Sequence, residues 1–191
     1  MMQNKVIDLL VDQTEQLLKA LSAQSGSQSF IQLHNLKAKT AVDEIEQDLI
    51  QSFTDWRNKI DASHDFVAVR FYWAGAEVEP FIPSDVWSYA YGGSAFNGIE
   101  GKAKKVFFKE QSAFAPQALI ALVNNEAGPL PAPLFDAVKS LFVTSSLCWA
   151  AMALWRLKDH SSFKALNPKL PFNFIATPGH DEEPVLLCTL E

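Results

Sequence analysis

The sequence predicts an α+β protein: a mostly antiparallel sheet of about five strands packed with helices, preceded by an N-terminal amphipathic helix. Three observations lead there. Apolar residues recur at helical spacing over residues 3–23 and 40–60, and again after Pro133. Runs rich in Val, Phe, Tyr and Trp occupy 65–75 and other short stretches between 77 and 108, and two apolar runs close the chain. Clusters of Gly, Pro and small polar residues separate these runs at short intervals.

In residues 3–23, Val6, Leu9, Leu10, Leu17, Leu18 and Leu21 alternate with Asp8, Asp12, Glu15 and Lys19, which makes one apolar stripe. Gln24-Ser25-Gly26-Ser27-Gln28-Ser29 breaks it. Phe30 to Lys39 fits a strand or a helix equally well. A second helix starts at Thr40, where Thr40 and Asp43 resemble a capping box. Val42, Ile45, Leu49, Phe53, Trp56 and Ile60 then form its stripe, and it ends near Ile60. "DFVAVRFYWAG" is a strand, Ala74-Gly75-Ala76 a turn, and "EVEPFIP" a second strand. Pro80 cannot donate to a ladder, so that strand belongs at an edge or a bulge. Residues 92–101 carry four of the eight glycines and form a loop, followed by a third strand, "KAKKVFF", and a short helix over 115–125. "GPLPAP" is a rigid connector, and Pro133 suits the first turn of a long helix over 133–158. "SSFKALNPKLP" is a loop, and "FNFIAT" and "VLLCTL" are the last two strands.

The 191 residues fit one domain over 1–191, with 1–25 as a helical extension through which two copies could pair. Hydrophobic residues make up 48%, enough to fill a core and to exclude disorder over most of the length. The formal net charge of −6 argues against nucleic-acid binding, which needs clustered Lys and Arg, and suits a basic protein partner. Cys148 and Cys188 lie forty residues apart among apolar neighbours and read as buried free thiols of a reducing cytoplasm. No leader is legible, because Asp8, Asp12 and Glu15 fall where an apolar core segment should run. Ser140–Trp155 is apolar but shorter than the ~20 residues a span needs, and it reads as a buried core helix rather than a membrane segment.

Motif spacing argues against several chemistries. Gly93 and Gly98 have phosphate-loop separation, but Ile99 stands where Lys is required. "GGSAF" departs from a nucleophile elbow at Phe96, and Ser94 leads into loop and strand rather than helix. His34, His64, His160 and His180 show no spaced metal-ligand pair, so no metal and no cofactor is expected. Two stretches remain. Trp87, Tyr89 and Tyr91 alternate beside the Gly-rich loop and can make an interface anchor, a ligand pocket, or one more buried strand. His180, Asp181, Glu182 and Glu183 stand between Pro178-Gly179 and Pro184 as a polar turn. Three consecutive carboxylates repel one another in a buried acid/base site, so a displayed acidic tip suits recognition of a basic surface better than catalysis.

The order of segments over residues 40–185 resembles small bacterial domains of unknown function found beside polymorphic toxin systems and regarded as immunity proteins. The likeness lies in "DFVAVRFYWAG", "VEPFIPSD" with the Trp that comes after it, "LKDHSSF" and the "GHDEE" loop. It carries no catalytic motif, and a closing helix expected after the last strand is missing from the pattern. The resemblance implies a cytoplasmic, non-enzymatic protein that binds a partner, such as a basic toxin, through acidic and aromatic surfaces. The alternative is a small-ligand binder or enzyme using segment 87–101 and His180.

Overall fold

The longest apolar run becomes the centre of the molecule. A computed structural model describes residues 5–57, 66–74, 82–91, 106–107, 130–166, 172–177 and 185–190. Its helices are α1 (Lys5–Ser22), α2 (Gln28–Lys37), α3 (Ala41–Trp56), α4 (Ala132–Leu157) and the single turn α5 (Ser161–Lys164). Its strands are β1 (Phe66–Ala74), β2 (Ile82–Tyr91), β3 (Val106–Phe107), β4 (Phe172–Thr177) and β5 (Val185–Leu190). For β1, β2 and β3 only the backbone is described.

Pro131 caps α4 with extended backbone, and Pro133 lies in its first turn, where a missing N–H costs nothing. The helix is apolar on every side, and all residues from Ser145 to Ala151 are buried. Two hydroxyls sit in that apolar stretch without penalty, because Ser145 and Ser146 donate to the carbonyls of Leu141 and Phe142 at 2.7 Å. α4 is long and apolar enough to cross a membrane by length and composition, and 67% of its most apolar window is buried inside the protein.

α1 lies along α4 and buries Leu10 and Leu21. α3 buries Val42, Ile45, Leu49 and Phe53 against the C-terminal half of α4, as its stripe requires. The expected Thr40–Asp43 capping box does not form. Thr40 is the N-cap residue but makes no side-chain cap bond, and Asp43 instead accepts from Arg156 of α4 at 2.8 Å. Residues 30–39, open between strand and helix, resolve as α2. The reason is tertiary: Phe30 and His34, one helical turn apart, are both buried, while Leu36 is exposed. The loop expected over 161–171 begins as a helical turn, α5. His160 caps it by accepting the Ser162 N–H on Nδ1, and Phe163 plugs into the core.

The strands run in the order β3-β2-β1-β4-β5. β1 pairs antiparallel with β2 and parallel with β4, while β2–β3 and β4–β5 are antiparallel. β1–β2 pairing skips a residue beside Pro83, which puts that proline at a bulge. A second irregularity lets Leu187 and Cys188, neighbours on β5, both be buried.

The expected fold class is therefore corrected. Helices form the body rather than cover a sheet. Of the residues whose side chains are described, 73% are helical, and the strands among them are only two, β4 and β5, in one antiparallel pair. The cause is α4: a largely apolar helix needs partners on more than one side, and among the described side chains α1, α2, α3 and β5 assemble on it.

The turn at Gly75-Ala76, the strand residues 77–81, the loop 92–101, the helix 115–125 and the acidic turn 180–183 lie outside the described residues. The strand read in "EVEPFIP" overlaps them, and of it only Ile82 and Pro83 are described, as the start of β2.

Candidate functional site

Strand direction brings two connections to one end of the sheet. β1 and β4 are parallel, so Ala74 and Thr177 leave the sheet at the same end. β2 and β5 run antiparallel to these strands and begin there, at Ile82 and Val185. The two intervening segments read GAEVEPF and PGHDEEP. They carry Glu77, Glu79, Asp181, Glu182 and Glu183, and neither contains Lys or Arg. The segment joining β2 to β3 starts from the opposite end and holds Lys102, Lys104 and Lys105.

Trp87, Tyr89 and Tyr91 lie on β2 at alternate positions and share one face. Register carries that face across the sheet. Tyr91 is level with Phe66 and Asn173, Tyr89 with Ala68 and Ile175, and Trp87 with Arg70 and Thr177. It is the face opposite to Phe172 and Phe174, whose rings meet Phe163 on the helix side. Ile175 belongs to the same face by register and is fully buried. Trp87 is level with Arg70 in the middle of β1 and with Thr177, the last residue of β4, while Tyr91 is at the far end of β2; the His180–Glu183 segment lies outside the described residues.

The most polar feature inside the helices had no signal of its own in the sequence. His34 of α2 is 3% exposed and lies 2.8 Å, Nε2 to Oγ, from Ser145 of α4, which is fully buried. Ser145 gives its proton to Leu141, so its oxygen is placed to accept from a His34 Nε2–H. Phe142 meets the ring edge-on at 5.6 Å and Trp149 lies against it at 5.5 Å. Burial lowers the His34 pKa, partly opposed by Asn35, whose Oδ1 lies 3.5 Å from Nδ1. This is not a nucleophile–base pair, because the serine has no access and its proton points away from the ring. The available clue was spacing: Phe30 and His34 stand four apart, as one helix face demands.

Cys148 and Cys188 are buried, and burial pushes their pKa values up to about 11 and about 12. Both thiols stay protonated at neutral pH and are poor nucleophiles. Among the described residues, no group of three His, Cys, Asp or Glu could hold a metal ion.

No family model matches the chain, and neither a curated protein nor a solved structure matches it.

Proposed function

We propose that this chain is a non-enzymatic cytoplasmic protein that binds a basic protein partner, in the manner of an immunity or antitoxin-like factor facing a basic toxin. The observation that carries the reading is the common departure of the two acidic connections from one end of the sheet. The segments that join these strands carry Glu77, Glu79 and Asp181–Glu183 without Lys or Arg, a composition that suits steering of a positive partner surface. His180 in the same segment and the aromatic residues Trp87, Tyr89 and Tyr91 of β2 belong to the surface proposed for the partner.

Capture of the tagged protein from its own source cells, with the bound proteins identified by mass spectrometry, tests the reading. One stoichiometric basic partner is expected, lost on combining Asp181→Lys with Glu182→Lys and weakened by raising salt. A partner indifferent to both changes, or no partner at all, overturns it.

A second reading has its own observation. Register puts Trp87, Tyr89 and Tyr91 on one face with Ile175, which is fully buried, and three aromatic residues on one sheet face suit a small ligand. A melting temperature of the dialysed protein that rises with nucleotides or metabolites, and no longer does so in Tyr89→Ala, supports that reading.

A further inference from the structure

We propose that α2 is an acid-released latch: protonation of His34 at the α2–α4 seam unseats α2 and uncovers the apolar cluster beneath it. α2 has ten residues, too few to hold a helix in water without tertiary contacts. Its buried residues are Phe30 and His34, with Ile31 and Leu33 partly buried, and the cluster it covers comprises Leu21 of α1 and Leu134, Val138, Leu141 and Phe142 of α4. Of these four side chains of α2, His34 alone can change its charge.

The geometry favours one charge state. In the neutral ring, Nε2–H is spent on Ser145. Among the described residues, a second proton, on Nδ1, meets Asn35 Oδ1 at 3.5 Å, too far for a good hydrogen bond. Stacking on Trp149 stabilises an imidazolium somewhat, but a cation at 3% exposure loses most of its hydration, and the loss is the larger effect. The direction of the His34 pKa agrees, with burial as its first cause. The described contacts of the ring are Asn35 from α2 and Phe142, Ser145 and Trp149 from α4, none of which titrates near neutrality. Where α2 meets α3, Lys37 pairs with Glu44, whose pKa is lowered by Lys37 and Thr40. That pair stays intact through the range in which histidine takes up its proton.

Amide exchange of the full chain, followed peptide by peptide from about pH 7.5 to about pH 5 and corrected for the intrinsic rate, tests the latch. Opening of residues 28–37 is expected to rise by up to about tenfold per pH unit below about pH 6.5, while β4 keeps its protection. His34→Gln, which retains a donor but cannot take up the charge, is expected to flatten the response. A pH-independent α2, an α2 that opens only in step with β4, or a His34→Gln protein with the same response each overturns the proposal. Should His34→Gln fail to fold, NMR titration of the wild-type ring decides: it must titrate together with α2 opening, and a ring neutral throughout the range overturns the latch.

Discussion

The two apolar clusters on α4 are built on different terms. The larger one joins the N-terminal part of α1, α3, the C-terminal half of α4, α5, β4 and β5, and is closed by rings: Phe53, Phe163, Phe172 and Phe174 stand 5.3 to 6.0 Å apart. The smaller one joins the C-terminal part of α1, α2 and the N-terminal half of α4, and its outer wall includes a histidine hydrogen-bonded to a serine. The buried members described for the first are apolar side chains and two high-pKa thiols, although its Trp149 also touches His34. The second has that histidine in its wall, and it is closed by the shortest helix that contributes to either cluster apart from the single turn α5. The difference teaches that one helix can support a stable region and a conditional one at its two ends, depending on what is docked there.

Core truncation should break the comparison most visibly. Phe174 is fully buried and touches Phe53, Phe163 and Phe172, so Phe174→Ala should cost about 3–5 kcal/mol in denaturant unfolding. Phe30→Ala should fall at the low end of that range, about 3 kcal/mol, because a short helix can shift into the space. Equal costs for the two would erase the distinction between the clusters.

Acid sharpens it next. The His34 pKa is lowered in the fold, so the unfolded chain takes up the proton first. Stability is complete above about pH 6.5 and declines as the pH falls below that value. His34→Gln should remove this decline in thermal melts across the range. Glu44 behaves separately: its pKa is also lowered, by Lys37 first, and its contribution is lost only at the acid end, below about pH 4.5.

Smaller effects test the joints. Gly26, between α1 and α2, has φ +81°, and a Cβ there would lie 3.5 Å from Leu134, so space is ample and the backbone conformation sets the cost. Gly26→Ala should lose about 1 kcal/mol, with the loss concentrated in exchange of α2. Arg156 bridges α4 to Asp43 and Glu46 of α3, with 49% of its side chain exposed. Arg156→Ala should cost less than about 1 kcal/mol and less still at high salt, read from denaturant midpoints.

Much of the helical frame was legible. The stripe from Val42 to Phe53 and the run after Pro133 give helices whose ends lie within a few residues of those expected. "FNFIAT" and "VLLCTL" form the expected strands and pair with each other. The weight of helix against sheet was not legible, because Val, Phe and Trp stabilise a buried helix as well as a strand, and α4 drew the core to itself. The site was legible only as a set of residue types. Nothing in Glu77, Glu79 and Asp181–Glu183, a hundred residues apart, says that their strands end on the same side. The parallel pairing of β1 with β4, which joins distant segments, puts them there.

The sequence by itself determined where helices could form, that the two cysteines are buried, and the acidic balance of the chain, since local spacing and composition are enough to set these. Tertiary structure alone decided that residues 28–37 are a helix, that Asp43 faces Arg156 rather than Thr40, and that His34 meets Ser145 across 111 positions. The physical reason is the same in each case. A short segment with weak periodicity, or a polar side chain with several partners in reach, has nearly equal local alternatives, and contact with a distant surface selects one of them.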